Sequence, residues 1–314
     1  MTSILTLRRH GDVFSRARQK EQENESAPSV PADEVLGLQR FEDLPVWYQD
    51  NPCIRAGYRP VSYSSPSCFY SCAFLHNETI NIYSHFIPAI LSIISQIFLQ
   101  RMISTHFPHA SLQDRLIFSI NLLAATASLL LSSAYHTLMS HSYRVSSLWL
   151  RIDYVGILTL ILGSFFSGIY VGFYTEPTLK WVYWSMIITL TLITAVLVIH
   201  PRLQGLSYRH IRTSAFVATG LSGFAPVCHG LCLYGWEEMW VRSGMPYWFL
   251  EGIVYGIGAF FFATRLPEAA WPGKFDIWGS SHQIFHVLVV LGGTVHLAGV
   301  WDAYSWNYHR FVHI

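Results

Sequence analysis

The sequence predicts an all-α membrane protein, a bundle of seven transmembrane helices with a cytoplasmic N-terminus. Of its 314 residues, 52% are hydrophobic and only 12% are charged, about half the charged content typical of soluble domains. The charges are concentrated in residues 1–78, which hold 8 of the 20 Lys and Arg residues and 10 of the 19 Asp and Glu residues. Seven apolar runs follow, each close to the roughly 20 residues needed to cross a bilayer.

The sequence divides into a predicted cytoplasmic tail, residues 1–75, and a predicted seven-helix domain, residues 76–314. Within the tail, residues 15–34 are rich in Glu, Gln, Ser, Pro and Ala, a composition typical of disordered chain. Between residues 33 and 50 the apolar residues recur at helical spacing, which predicts a short amphipathic helix on the membrane surface. These apolar residues are Val35, Leu36, Leu38, Phe41, Leu44 and Trp47.

Each of the seven apolar runs predicts a transmembrane helix. In chain order the runs are 80–99, 116–138, 152–173, 181–199, 214–234, 248–266 and 282–304. The breaks between them carry proline, glycine or charge: Pro108 stands in the first break, Pro177 in the third and Pro272 in the last. Proline is unfavourable inside a helix, so these positions separate the runs. An odd number of crossings puts the two termini on opposite sides of the membrane.

Basic residues are distributed unequally between the two sides that this topology defines. The N-terminal side carries 15 Lys and Arg residues, and the opposite side carries 5. By the positive-inside rule, the N-terminus is predicted to be cytoplasmic and the C-terminus to lie outside the cytoplasm. The N-terminal side has eight in the tail plus Arg144, Arg151, Arg202, Arg209, Arg212, Arg265 and Lys274; the opposite side has Arg101, Arg115, Lys180, Arg242 and Arg310.

Polar and ionisable residues inside the runs fall in one layer near the predicted cytoplasmic surface. Such residues are costly in hydrocarbon and are therefore candidates for function. Odd-numbered runs start on this side of the membrane and even-numbered runs end there. Polar residues from four separate runs therefore lie at the same depth. The members are Glu78, Asn81 and His85 at the first run, Ser132 and His136 in the second, Arg151 and Asp153 at the third, and His282 and His286 in the seventh.

This layer contains a histidine set that suits a metal ion. His282 and His286 are four residues apart, so both imidazoles project from one helical face. With His136 they offer three neutral nitrogen ligands, the arrangement in which catalytic zinc sites keep a fourth position open. Asp153 is then a candidate base for a zinc-bound water, and Ser132 a candidate hydrogen-bond partner for that water or for a substrate carbonyl.

The same residues also allow a structural interpretation, in which the histidines make ordinary hydrogen bonds between helices. Glu78, Asn81 and His85 share one helical face, and we favour for them a role in supporting the ligands or in helix packing. His296 lies roughly 15 Å deeper along the seventh helix, out of reach of the same ion. By the predicted topology, Glu251 belongs to the opposite leaflet.

Several longer motifs resemble those of a known family. They are WYQDNPCIRAGYRP at 47–60, HNETINIYSH at 76–85, SSAYHTLMSHS at 132–142, RIDY at 151–154 and PGKFDIWGSSHQIFHVLVV at 272–290. On these motifs the chain resembles the progestin and adiponectin receptor superfamily, which is related to haemolysin III. Within that superfamily it is most similar to the adiponectin receptors and their fungal homologues.

The resemblance implies a seven-helix bundle, inverted relative to G-protein-coupled receptors, with zinc near the cytoplasmic leaflet. Fungal relatives often carry a further histidine just before the paired ligands, whereas Ser280 and Ser281 stand there in this sequence. The family's three ligands fall on His136, His282 and His286; its serine and aspartate near zinc fall on Ser132 and Asp153; and its Glu-x-x-Asn-x-x-x-His motif falls on Glu78, Asn81 and His85.

For function, the resemblance implies zinc-dependent hydrolysis of a lipid amide, as in a ceramidase, with release of a fatty acid and a sphingoid base. Members of the superfamily are also described as receptors and as regulators of lipid, sterol and zinc homeostasis. A second hypothesis is a membrane-bound terpene cyclase of fungal secondary metabolism, which would open a prenyl epoxide with Asp153, Glu78 or a zinc-bound water as the acid. A third is a haemolysin III-type channel, against which the lack of an evident charged ring argues.

The expected partner is a membrane lipid or another hydrophobic substrate, and the oligomeric state is left open. We expect an integral, multi-pass protein of the plasma membrane or the endoplasmic reticulum. A formal net charge of +1 gives no electrostatic basis for nucleic-acid binding. The five cysteines are odd in number and do not form the pattern of a disulfide framework.

The basic asymmetry makes the orientation testable with terminal epitope tags. A tag before Met1 should be reached by antibody only after the cells are permeabilised. A tag after Ile314 should be reached without permeabilisation when the protein is at the cell surface. An N-terminal tag stained on intact cells would contradict the predicted orientation, while a tag on a known cytosolic protein controls for leakage.

Overall fold

The computed structural model describes residues 37–203 and 206–312. It contains seven helices that are long and apolar enough to cross a membrane, which confirms the all-α, seven-helix fold class. They are α1 Thr79–His106, α2 Leu112–Leu138, α3 Tyr143–Gly172, α4 Pro177–Ile199, α5 Arg209–Arg242, α6 Met245–Thr264 and α7 Ser281–Phe311. The α5 span is made of two pieces, Arg209–Leu221 and Phe224–Arg242.

Several helices start earlier than the apolar runs predict, because side-chain caps begin them in polar sequence. The Ser142 side chain accepts a hydrogen bond from the backbone N–H of Val145 and starts α3 well before residue 152. At the start of α2, Ser111 accepts from the N–H of Asp114 while the Asp114 carboxylate accepts from the N–H of Ser111. This capping box satisfies N–H groups that the first helical turn cannot pair by itself.

Small residues allow two helix pairs to pack closely. A Cβ added at Gly163 of α3 would collide with the Ala124 side chain of α2. On α7, Gly292 makes room for the ring of Tyr255 from α6, and Gly299 makes room for Tyr247. Close approach of backbones through small residues is the usual way in which helices associate within a membrane. The pairs α2–α3 and α6–α7 are accordingly among the most extensive contacts of the bundle.

Residues 37–78 form a folded cap on the end of the bundle where α1 and α7 begin and α2 ends, which we call the histidine end. The cap contains one short α-helix, Ser65–Tyr70, and two 3-10 turns, Phe41–Asp43 and Ser71–Ala73. Its backbone bonds the α2–α3 connection through Ser62 N–H to Ser140 O (3.1 Å). It bonds the α6–α7 connection where Gly273 N–H donates to Cys53 O (2.9 Å). Residues 37–75, expected to be part of a tail, thus pack against the bundle.

The amphipathic helix predicted between residues 33 and 50 is wrong for the part that the structure describes, residues 37–50. That segment has a short 3-10 turn, Phe41–Asp43, then the extended residue Leu44 and a second turn at residues 46–48. Leu44 precedes Pro45, a position that disfavours helix, and its ψ of 149° is extended. Of the described apolar residues of that prediction, Leu44 is buried in a small core of the cap, Phe41 and Trp47 pack against this core, and Leu38 is exposed. That core consists of Leu44, Tyr48, Ile54 and Tyr58, all buried. The predicted disordered stretch, residues 15–34, lies outside the described residues.

Helix α5 is packed less tightly into the bundle than its neighbours. Its first piece, Arg209–Leu221, packs mainly against α4, and its second piece touches α3, α6 and α7 only lightly. The backbone of the second piece also leaves helical geometry at Gly235, where φ is 73°. The space left beside α5 becomes the wall of the cavity described below.

Candidate metal centre

Three histidine side chains converge at the histidine end of the bundle. His136 lies near the end of α2, and His282 and His286 lie in the first two turns of α7. Ring nitrogens of the three lie within 4.8 Å of one another, as a group that could hold a metal ion. The Nε2 atoms of His136 and His282 are 3.2 Å apart. Two nitrogens bound to one tetrahedral ion at the usual bond length stand roughly 3.3 Å apart, so this spacing fits shared coordination.

The remaining ring nitrogens of two of these histidines are held by hydrogen bonds. His136 Nδ1 lies 2.8 Å from the Glu78 carboxylate. His286 Nδ1 lies 3.1 Å from the backbone oxygen of Asn81 and 3.2 Å from the hydroxyl of Ser84. With the proton on Nδ1, directed at these acceptors, each Nε2 keeps a lone pair for a metal. The donor set therefore fits a metal ion in chemistry as well as in spacing.

Glu78, the residue before α1, is held by hydrogen bonds to residues of the cap, of α1 and of α2. Its carboxylate accepts from Asn81 Nδ2 (2.6 Å) as well as from His136. Its backbone N–H donates to Nδ1 of His76 (3.1 Å). Burial by itself raises the pKa of Glu78, but the hydrogen bond and charge of His136, with smaller contributions from Asn81 and Arg59, hold the pKa well below its usual range. Glu78 is thus a buried carboxylate that stays ionised.

His85 and Ser132 complete the surroundings of the histidines, together with Asp153. The ring of His85 stacks on that of His286, with centroids 3.7 Å apart and an interplanar angle of 8°. Across the site, Asp153 of α3 is the side-chain hydrogen-bond partner of Ser132 on α2 and lies within electrostatic reach of His136. Asp153 and Ser132 are both buried. A carboxylate and a hydroxyl therefore stand beside the histidines from the side of α3.

A cavity of about 1440 Å³ extends from the histidines into the bundle. Eight of the nine polar residues predicted to form one layer line it, whereas Arg151 does not and instead donates to Ser147 (3.2 Å). The eight are Glu78, Asn81, His85, Ser132, His136, Asp153, His282 and His286. Beyond them the walls are largely apolar and aromatic, and include Ile161, Phe165, Phe216, Trp248, Phe262 and Phe285. The site thus combines a polar end with space for a hydrophobic chain.

Arg59, which was not predicted as a site residue, anchors the helix that carries His136. It is fully buried in the cap. Its guanidinium donates to the backbone oxygens of His136 (2.5 Å) and Thr137 (2.9 Å) and to the hydroxyl of Ser71 (2.9 Å). These carbonyls belong to the last turn of α2, where no further helical N–H is available. Arg59 stands inside the motif at 47–60, which is the only sequence signal that pointed to it.

Glu268, which was also not predicted as a site residue, anchors the start of α7 as Arg59 anchors the end of α2. It is fully buried in the α6–α7 connection. Its carboxylate accepts from Ser281 N–H (2.7 Å), from the Ser281 hydroxyl (2.5 Å) and from Asn51 Nδ2 of the cap (3.1 Å). A negative charge at a helix N-terminus is favourable. His282 follows Ser281 directly, so Glu268 fixes the turn that presents this histidine.

Comparison with known proteins gives a consistent set of similarities. A family described as "Haemolysin-III related" matches residues 74–297. The ADIPOR-like receptor IZH2 of Saccharomyces cerevisiae is 34% identical over 94% of this chain and 92% of its own length. The adiponectin receptor protein of Drosophila melanogaster is 36% identical over 83% of this chain, and the progestin and adipoQ receptor-like protein 1 of Caenorhabditis elegans is 37% identical over 83%. The matches cover 58% and 59% of the lengths of the fly and worm proteins.

The contacts of Glu268 predict that Glu268→Gln lowers stability. In Glu268→Gln an NH₂ group replaces one carboxylate oxygen, so it faces N–H and O–H donors that now lack an acceptor. Each buried donor left without an acceptor costs about 1–3 kcal/mol. The thermal unfolding midpoint of the purified protein in detergent should fall. Glu237→Gln is the control, because Glu237 is exposed on α5 and does not line the cavity. Equal midpoints for Glu268→Gln and the wild-type protein would contradict the role assigned to Glu268.

Proposed function

The chain belongs to the haemolysin-III-related family, as its motifs predicted, and from that membership we propose that it is a zinc-dependent hydrolase of lipid amides, of the ceramidase type. One observation carries the proposal. Three buried or half-buried imidazoles converge at the polar end of a large apolar cavity, with the Asp153 carboxylate beside them.

The choice of zinc rests on the donor set. Imidazole nitrogens suit zinc, and three protein ligands with a fourth position open is the form of a catalytic rather than a structural zinc site. His136, His282 and His286 would hold the ion, with Glu78 and the Asn81 carbonyl fixing two of the rings. When bound, zinc supplies Lewis acidity and lowers the pKa of a coordinated water to about 7.

The protein's own groups supply proton transfer and orientation. Asp153 accepts a proton from the attacking water and delivers it to the amide nitrogen as the C–N bond breaks. Ser132, the hydrogen-bond partner of Asp153, orients that carboxylate or the substrate carbonyl. Glu78 keeps the proton of His136 on Nδ1, which leaves Nε2 free as a ligand. The carboxyl product keeps the oxygen of the water, and the amine product leaves with its proton.

The cavity supports a lipid as the substrate. Its volume of about 1440 Å³ exceeds the roughly 300–1,000 Å³ of ordinary small-molecule pockets, and its walls beyond the site are apolar. A long acyl or sphingoid chain would bury its methylene groups there while its amide remains at the polar end. Fatty acid and sphingoid base are the products expected from such an amide. We place this activity in the plasma membrane or the endoplasmic reticulum.

A receptor role is the second candidate, and the names of the relatives are the observation that favours it. The yeast and fly proteins are both named as receptors. In that case the same zinc site would stabilise the bundle or generate a lipid signal, and regulation of lipid, sterol or zinc homeostasis would be its effect.

The metal assignment predicts one zinc ion per chain in the purified protein. His136→Ala, His282→Ala and His286→Ala should each remove most of the zinc, because two imidazoles make a poor site. His106→Ala is the matched control, since His106 is exposed at the far end of α1. Zinc is measured by inductively coupled plasma mass spectrometry, with gel filtration to confirm that each variant remains folded. Stoichiometric zinc in a protein lacking all three histidines would refute the assignment.

The chemical assignment predicts that Asp153→Asn keeps zinc but loses turnover. Loss of a general base typically lowers the rate by 10²–10⁴, and Ser132→Ala should cause a smaller loss. Asp302→Asn, at an exposed position of α7, is the control. The assay uses ceramides of several chain lengths and, separately, an epoxidised prenyl substrate. Amide turnover that survives Asp153→Asn would contradict the role of Asp153. Turnover of the epoxide alone would favour the terpene cyclase, and zinc without any turnover would favour the receptor.

A further inference from the structure

A second buried polar cluster joins three helices deep in the bundle. His296 of α7 lies with its Nδ1 2.8 Å from the carboxylate of Glu251 on α6. Its Nε2 lies 2.9 Å from the hydroxyl of Ser167 on α3. Asn121 of α2 donates to the same hydroxyl (3.2 Å). All four residues are buried.

The hydrogen bonds run from serine to histidine to carboxylate, as in a catalytic triad. The surroundings of Ser167, however, exclude a role as the nucleophile. Ser167 is fully buried and does not line the cavity. Its hydroxyl lies 3.0 Å from the backbone oxygens of both Gly163 and Ser164. A nucleophile must face the substrate. Ser167 therefore connects helices, and the groups of the cluster that reach the cavity are those of Glu251 and His296.

Glu251 has more hydrogen-bonding capacity than helix packing uses. One of its carboxylate oxygens accepts from His296. The other has no hydrogen-bond partner within the described part of the chain, although Glu251 is only 8% exposed and lines the cavity. One turn further along α6, the buried hydroxyl of Tyr255 also lacks a partner among the described residues. Tyr255 lines the cavity too and lies close enough to Glu251 to interact with it electrostatically.

The two polar regions lie at separate depths of one cavity. His286 and His296 are on the same straight helix, ten residues apart, which corresponds to about 15 Å. Between the two regions the cavity walls are mostly apolar, and they include the serines Ser128 and Ser164. An ionisable residue inside a membrane helix carries a desolvation cost, which is larger when one of its oxygens has no hydrogen bond. A ligand that donates a hydrogen bond to the free oxygen of Glu251 would lower this cost.

We propose that Glu251, with Tyr255 and His296, forms a second binding site in this cavity for a hydroxyl group on the hydrocarbon chain of the lipid. The inference rests on the proposed function, because it assumes that the amide of that lipid lies at the three histidines. The substrate class is then a lipid amide whose acyl chain carries a hydroxyl group about 15 Å from the amide. The hydroxyl groups next to the amide of a sphingoid base are too close to reach Glu251.

A hydroxyl group matches this site better than a protonated amine. A hydroxyl can donate to the free oxygen of Glu251 and accept from the hydroxyl of Tyr255, so both unpaired groups are satisfied at once. A protonated amine has no acceptor for Tyr255 and must lose its hydration in an apolar cavity. The site therefore selects a neutral donor-acceptor group.

The test uses the full-length, zinc-loaded protein in lipid nanodiscs. The ligands are ceramides whose acyl chains end in a hydroxyl, in a primary amine or in a plain methyl group, each in a series of chain lengths. Binding is measured by competition with a fluorescent ceramide, which is independent of hydrolysis, and KM is measured separately. At the matching chain length, the hydroxylated ceramide should bind about 10- to 100-fold more tightly than the plain one, as for a hydrogen bond to a charged group.

Four variants, one of them a control, separate the site from general effects on the fold. Glu251→Leu should abolish the preference for the hydroxylated chain, whereas Glu251→Gln should retain a smaller preference of about 2- to 10-fold, because a neutral amide hydrogen bonds to a hydroxyl less strongly than a carboxylate does. Tyr255→Phe removes one partner and should reduce the preference several-fold, so it serves as the test if Glu251→Leu does not fold. Glu237→Leu, at an exposed position on α5, is the control and should leave the preference unchanged.

The outcomes distinguish this inference from the proposed function. Hydrolysis of ceramides with no preference for the hydroxyl group at any length would overturn the second site and leave the hydrolase intact. A preference for the hydroxylated chain that survives both Glu251→Leu and Tyr255→Phe would also overturn the second site and leave the hydrolase intact. Tighter binding of the amine would overturn the assignment of a hydroxyl. A hydroxyl preference that depends on Glu251, without any hydrolysis, would establish the binding site and refute the hydrolase.

Discussion

The buried carboxylate of Glu78 is the interaction on which the histidine end depends. A charge inside a membrane protein must be paired and fully hydrogen bonded. Glu78 meets this requirement by accepting from His136 and from Asn81, so it joins the start of α1 to the end of α2. The backbone oxygen of Asn81 in turn holds His286 of α7. One carboxylate and the helical turn that follows it therefore orient two of the three histidines.

The cap belongs to this arrangement because it controls the helix ends from which the histidines project. The guanidinium of Arg59 binds the last carbonyls of α2, and the carboxylate of Glu268, held by Asn51, binds the first N–H of α7. Both side-chain charges have the sign that the helix dipole favours, a cation at a helix C-terminus and an anion at a helix N-terminus. The cap thus holds the helix ends that carry the candidate ligands. The cap is a structural part of the centre.

The apolar runs predicted the seven helices well because hydrocarbon imposes a length and a composition on any helix that crosses it. The histidine set was predicted for a related reason, since helical spacing and depth are fixed once the crossings are known. The cap was not predictable in this way. Its core forms because Pro45 blocks a helix that periodicity alone favoured, and because distant segments pair. Arg59 and Glu268 lie outside the runs and act through partners 77 and 13 residues away.

The bundle divides into a tightly packed part, which carries the candidate metal centre, and a more loosely packed part at α5, which walls the cavity. The candidate ligands and the carboxylate beside them lie on α2, α3 and α7, and α2 and α3 pack together through glycine and alanine. The opposite cavity wall includes α5, which contacts its neighbours lightly and is broken at Gly235. Precise placement of reacting groups requires rigid support, and under the proposed function a lipid would reach the cavity between helices that pack less tightly. The lightly packed wall at α5 is thus separate from the helices that carry the histidines and their hydrogen bonds.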